Sequence, residues 1–135
     1  MFDPAPPLYR RVGGYDVIAA IVDDLLSRML ADPFVNYYWR GKSRDSMRRE
    51  RQIMVEQVCA ACDGPAYYTG RGMRAAHEGL GITGAEWDIF VSHLRAALDN
   101  FAVAPRERDE LLAVAESQRA DIVELPDSAD PARQS

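Results

Sequence analysis

Apolar residues recur at Val17, Ile18, Ile21, Val22, Leu25, Leu26, Met29 and Leu30. That is the three-and-four spacing of one helical face, and it predicts a helix with a single buried stripe. Asp16 stands where an N-cap is wanted, and Ala31-Asp32-Pro33 ends the run. Ahead of it, "LYRRVGG" closes on Gly13-Gly14, a pair that lets the chain turn sharply between two helices. Behind it, "PFVNYYWR" is aromatic and too short for a full helix. Met47, Met54, Val58, Ala61 and Cys62 then mark a narrow buried face within a charged stretch, a second long helix that stops at Asp63-Gly64-Pro65.

The pattern lapses over "AYYTGRG", whose glycines and hydroxyls predict an irregular loop. It resumes at Thr83-Gly84-Ala85-Glu86, a capping box, after which Trp87, Phe90, Val91, Leu94 and Leu98 share one face of a third long helix. Pro105 opens a last helix carrying Leu111, Leu112, Val114, Ile122 and Leu125, and Pro126 stops it. No strand pattern, repeat or low-complexity block competes, so the expected class is all-α, with helices of unequal apolar width packed around a common core. The expected organisation is a tail at 1–7, one domain at 8–125 and a polar, mobile tail at 126–135.

Composition narrows the function classes. With 135 residues, 47% hydrophobic and 27% charged, the chain fits one globular domain. It holds no run of about 18 apolar residues, and "MFDPAPPLYRR" lacks the order of a secretory signal, so the expectation is a cytoplasmic protein without a membrane partner. Sixteen basic against 21 acidic residues, net −5, argue against a nucleic-acid surface. The basic cluster of Arg44, Arg48, Arg49 and Arg51 is interleaved with Asp45 and Glu50 and is expected to be a solvated helix face. Cys59 and Cys62 form a C-x-x-C without the strand-to-helix junction or the further ligands that redox or zinc chemistry needs, so packing on one helical face is the expected role.

The chain has two histidines, and one sits inside "GRGMRAAHEGLGIT". Met73 and His77, four apart, share a face of a short helix, and Gly79 and Gly81 end it. Spacing alone leaves His77 an ordinary hydrogen-bonded residue, because no second histidine or cysteine stands at metal-ligand distance in the sequence. A single imidazole nevertheless suffices for haem iron, which already has four porphyrin nitrogens, provided an apolar slot with aromatic walls surrounds it. Tyr37, Tyr38, Trp39, Tyr68, Trp87 and Phe90 fall in the segments that would flank a flat ligand, although aromatics at helical spacing also serve as plain core.

Taken in order, "LYRRVGG", "LADPFVNYYW", "GPAYYTGRGMRAAHEGLGIT" and "EWDIFVSHL" resemble a truncated haemoglobin of the group I type, over roughly Leu8 to Leu125. The resemblance implies a two-over-two helical sandwich around haem b. It implies His77 as proximal iron ligand, Tyr68 and Met73 along the proximal side or edge, and Ile82, Trp87 and Phe90 as pocket lining. Trp39, or Tyr38 if the register slips by one, matches the aromatic that stacks on the porphyrin. Arg74, and less directly Arg51, are placed to pair with propionates, with plain solvation as the alternative. His93 matches no functional position.

The chain departs from the family on the distal side. Members typically carry a tyrosine and a glutamine that hydrogen-bond bound oxygen; the matching positions here are Leu26 and Met54, with Glu50 at the pocket mouth. Extra residues between Trp39 and Met47 leave Gln52 and Gln57 as alternatives in that register. A methionine thioether can also ligate haem iron, an option that Met54 opens beside simple packing. Some relatives attach haem covalently through a histidine in the last helix, and "AESQRADIV" has none, so the expected cofactor is non-covalent haem b. The expected function is reversible binding of diatomic gases (O2, CO, NO) beside an unusually apolar distal pocket. The alternative is a haem enzyme acting on nitric oxide, peroxide or another small oxidant, with Glu50 as candidate acid–base group. A reductase is a candidate partner. A third reading is a small helical interaction domain whose aromatics are all core.

Overall fold

The computed structural model describes residues 6–62 and 81–123. Within them the elements are α1 (Leu8–Val12), α2 (Tyr15–Ala31), a 3-10 turn (Asn36–Trp39), α3 (Arg44–Ala61), α4 (Gly84–Asn100), α5 (Pro105–Ser117) and α6 (Arg119–Ile122). None of these helices is long and apolar enough to cross a membrane.

Gly13 ends α1 at φ +131°, and a Cβ added there would meet Val17 Cγ2 at 2.7 Å. Only glycine fits so close a crossing of α1 and α2. The second helix begins two residues earlier than expected, at Tyr15, with Gly14 at the N-cap position. Asp16 therefore does not cap. It lies in the first turn, where a carboxylate still favours the positive end of the helix dipole.

The third helix is capped by Ser43, whose side chain accepts from the Ser46 amide at 3.1 Å. Its core-facing residues differ from those the pattern singled out. Val55 and Cys59, 0% and 1% exposed, enter the core with Cys62 at the helix end, whereas Met54 and Val58 only pack against its edge. The apolar pattern of α3 thus serves two neighbouring faces. Both cysteines are buried thiols rather than a disulfide. Burial, reinforced by Glu56, pushes the Cys59 thiol up and keeps it protonated, which suits a packing residue.

The Thr83 capping box is formed as expected: the Thr83 side chain accepts from the Glu86 amide at 3.1 Å, and Glu86 returns a carboxylate to the Thr83 amide at 3.0 Å. The last helix is not continuous. The Ser117 hydroxyl donates to the Val114 carbonyl and the Gln118 amide tightens onto Ala115, so α5 closes at Ser117 and α6 follows as a separate turn. Leu125 and Pro126 lie outside the described residues.

Two helix pairs, α2 with α3 and α4 with α5, meet chiefly where α2 crosses α4, giving the expected two-over-two sandwich. Ile18, Val22, Leu25, Val55, Ala97 and Leu98 are fully buried in the core that these helices share. Each larger aliphatic side chain there contributes about 1.5–3 kcal/mol by leaving water. Polar ties hold the edges. Arg11 reaches Glu107 at 3.0 Å and Glu110 at 2.7 Å, joining α1 to α5. The Tyr9 amide donates to the Cys62 carbonyl at 2.9 Å, joining α1 to the end of α3. His93 Nε2 lies 2.7 Å from Asp32 Oδ2, fastening the end of α2 to α4. That contact, with the Phe34 amide, holds the Asp32 carboxyl below its usual range. On the basic face of α3, Arg48 pairs with Asp45 and Arg51 with Asp23.

Candidate functional site

Between α3 and α4 the sandwich leaves a cavity of about 380 Å³. Its α3 wall is built by Glu50, Ile53, Met54, Gln57, Val58 and Ala61, spaced three and four apart so that one helical stripe faces inward. Leu26 and Met29 of α2 close the back, Tyr38 and Trp39 come from the 3-10 turn, and Val35 and Lys42 flank that turn. The opposite wall is Ile82, Glu86, Trp87, Phe90 and Leu94, completed by Leu111, Val114 and Ala115 of α5, with Gln118 and Ile122. Helical spacing brings each set to one side; the short 3-10 turn, which cannot present a stripe, instead stacks Tyr37 on Tyr38 and sets Trp39 edge-on to Tyr38.

Of the residues the sequence pointed to, Leu26, Tyr38, Trp39, Glu50, Met54, Ile82, Trp87 and Phe90 line this one cavity. Tyr38 and Trp39, treated as alternatives, both reach it. Gln57 also lines it, whereas Gln52 turns away to Tyr15 and Glu56. Arg51 is engaged by Asp23, with Nη2 3.0 Å from Oδ2, and is not a lining residue. Tyr68, Met73, Arg74 and His77 lie outside the described residues.

The wall has few polar groups, and each is distinctive. Lys42 pairs with Glu50 Oε1, while Glu50 Oε2 is buried with no hydrogen-bond partner among the described residues. Trp87, 5% exposed and stacked on Phe90 at 4.7 Å, likewise carries an indole N–H with no partner among them. Glu86 is the opposite case. It accepts from the Tyr37 hydroxyl, from the Tyr38 hydroxyl at 2.9 Å and from the Thr83 amide. Burial alone would raise its carboxyl, but the bonds from Tyr37, the Thr83 amide and Tyr38 outweigh that and hold it below its ordinary value. Burial, then the contacts with Tyr37 and Glu86, push the Tyr38 phenol far above its ordinary range, so it stays protonated.

Lys42 and Glu86 were not legible as site residues. A lysine in a polar turn gives no hint of where its ammonium lies, and the capping box explained Glu86 fully without the tyrosines 48 and 49 positions earlier. Chemically, the cavity suits a flat and mostly apolar group. An unpartnered buried donor costs about 1–3 kcal/mol. The Trp87 N–H therefore favours a ligand that brings an acceptor such as a carboxylate. The residues fit haem, whose rim bears two propionates and whose faces are apolar.

Comparison with known proteins points the same way. The family model described as bacterial-like globin matches residues 7–124. A group 1 truncated haemoglobin, GlbN, of Mycolicibacterium paratuberculosis is 32% identical over 105 residues, covering 78% of this chain and 75% of the relative. The group 1 truncated haemoglobin LI410 of Chlamydomonas moewusii is 27% identical, covering 88% of this chain and 69% of its own. Among solved structures, a 2/2 haemoglobin of Synechococcus sp., in the cyanomet state and with covalently attached haem, superposes with a TM-score of 0.79 at 26% identity, over 87% of this chain and 98% of that one. The truncated haemoglobin of Tetrahymena pyriformis in its Fe(III) form reaches a TM-score of 0.81 over 87% and 98% of the two chains, and at 24% identity it speaks for the fold alone. The chain belongs to the bacterial-like globin family, whose members hold haem and use it to bind small gas molecules.

Proposed function

We propose that this globin holds non-covalent haem b in the cavity between α3 and α4, with His77 as the single protein ligand to iron, and reversibly binds diatomic gases on the side of Leu26 and Met54. The observation that supports this reading is that Leu26, Ile53 and Met54 all line this one cavity, beside Glu50 and Gln57. Iron held by one imidazole supplies an open coordination position for O2, CO or NO.

The chain's own residues then divide the work. Trp39, Tyr38, Trp87 and Phe90 give the flat apolar surfaces that exclude water. The family resemblance assigns Tyr68 and Met73 to the proximal edge and Ile82 to the pocket lining. Arg74 and the Trp87 N–H offer donors to propionates. The apolar distal wall withholds a hydrogen bond worth about 1.5–3 kcal/mol to a partly charged ligand, so gas should escape roughly tenfold to a hundredfold faster than from a polar pocket. Non-covalent attachment is supported by "AESQRADIV", which has no histidine to bond a vinyl group. A cytoplasmic location and a reductase partner belong to the same reading.

The test is spectroscopic: load the chain with haem and record ferric, ferrous and carbon-monoxide spectra. A Soret band that shifts with carbon monoxide, and that His77→Ala abolishes or alters, is expected; no band, or an unchanged one, rejects the assignment. A six-coordinate ferrous spectrum without added gas, lost in Met54→Leu, would instead make Met54 the second ligand. One observation favours a catalytic second reading: the unpartnered Glu50 carboxylate oxygen on the cavity wall, a group able to move protons. Turnover of peroxide or nitric oxide no faster than by free haem rejects it.

A further inference from the structure

We propose that Trp39, Tyr38, Tyr37 and Glu86 form a redox relay that carries oxidising equivalents from the cavity to the surface, making this globin able to oxidise one-electron reductants at Tyr37 when hydrogen peroxide enters. The relay rests on the haem reading above. Trp39 and Tyr38 line the cavity, and their rings lie 6.2 Å apart edge to face. Tyr38 stacks on Tyr37 at 4.3 Å and 28°. Tyr37 is 43% exposed, so three aromatic rings run without a gap from the wall of the cavity to solvent.

Spacing alone would make these rings a packing motif. Their shared proton acceptor makes them more. A phenol that loses an electron becomes strongly acidic, so its oxidation is easy only where a base already holds its proton. Tyr37 and Tyr38 donate to the two different oxygens of one carboxylate, Glu86 Oε2 and Oε1. That carboxylate is held below its ordinary value and is ionised at neutral pH, ready to accept. Tyr15 shows the contrast: it is equally exposed, at 42%, but its hydroxyl meets the Gln52 amide, which cannot take a proton.

The step balances as follows. Tyr38 gives one electron through Trp39 to the cavity and its proton to Glu86 Oε1, leaving a neutral phenoxyl. Tyr37 then gives an electron to Tyr38 and its proton to Glu86 Oε2, while the first proton returns to Tyr38. The hole now sits at Tyr37, and an outside reductant restores it by donating a hydrogen atom. Glu86 lines the cavity and releases its remaining proton there. Two such rounds deliver the two electrons and two protons that convert one hydrogen peroxide to two waters, with two reductant molecules each oxidised by one electron.

The test mixes the haem-loaded full chain with hydrogen peroxide and follows tyrosyl radical by freeze-quench electron paramagnetic resonance, together with dityrosine fluorescence, which reports coupling of exposed radicals between copies. Ascorbate is the reductant probe. Wild type and Tyr15→Phe should give the radical, form dityrosine and lose both when ascorbate is present. Tyr37→Phe should keep a radical but lose dityrosine and most of its quenching by ascorbate. Glu86→Gln, which keeps the capping box, should lose the radical at both rings. Equal radical and dityrosine in wild type, Tyr37→Phe and Glu86→Gln would overturn the relay. Carbon-monoxide spectra of the same samples report haem loading, so failure of the haem assignment shows as no Soret band in wild type, a different outcome from a loaded protein without radical.

Discussion

The two walls of the cavity are built on different principles. On the α2–α3 side, Leu26, Ile53 and Met54 offer a bound molecule nothing but surface, and the polar groups near them, Glu50 and Gln57, come from the same helical stripe. On the side of the 3-10 turn and α4, Glu86 gathers two tyrosine hydroxyls and a backbone amide around one carboxylate. One wall is defined by shape and the other by a satisfied network. The first should tolerate substitution in stability while changing ligand behaviour; the second should respond in stability and in proton chemistry.

The largest effect belongs to neither wall but to the core behind them. Leu25, fully buried in the core that the helices share, should cost about 2–5 kcal/mol on change to Ala, because a cavity remains in place of packed atoms. Met54→Ala, on an already open wall, should cost about 1 kcal/mol or less. Urea unfolding of both, with unchanged slopes, checks the difference; equal losses would mean that Met54 is a core residue.

On the polar wall, Thr83→Ala removes the cap on α4 and should cost about 1 kcal/mol, read by the same unfolding curves. A smaller effect follows from the Glu86 carboxyl, whose folded value lies below the 4.5 of a free glutamate. Its contribution to stability is complete above that value and is lost as pH falls through and below it. Stability measured from pH 6 downward should therefore fall less steeply in Glu86→Gln than in wild type; parallel curves would mean that the tyrosine bonds do not stabilise the ionised form.

Much of this was legible in the chain. The stripe from Ile18 to Met29, the Thr83 capping box and the Gly13 turn are local signals, and local physics forms them. Less was legible in α3, where Val55 and Cys59 face the core while Met54 and Val58 face the cavity: a helix apolar on two adjacent faces shows one broad pattern, and only its neighbours decide which residue is buried. The break at Ser117 depends on one hydroxyl competing for a carbonyl, and the Glu86 cluster on a contact across 48 residues. His93 carried no signal either, since its partner Asp32 lies 61 positions away.

The proposed apolar distal wall is tested most directly by the rate at which oxygen leaves the reduced, haem-loaded chain, followed by stopped-flow mixing with excess carbon monoxide in wild type and in Met54→Gln. Fast release from wild type, slowed roughly tenfold to a hundredfold when the glutamine supplies a donor, is the expected result. Release that is already slow in wild type and unchanged in Met54→Gln would contradict it, because a donor already present, such as the Gln57 amide, would then be holding the gas.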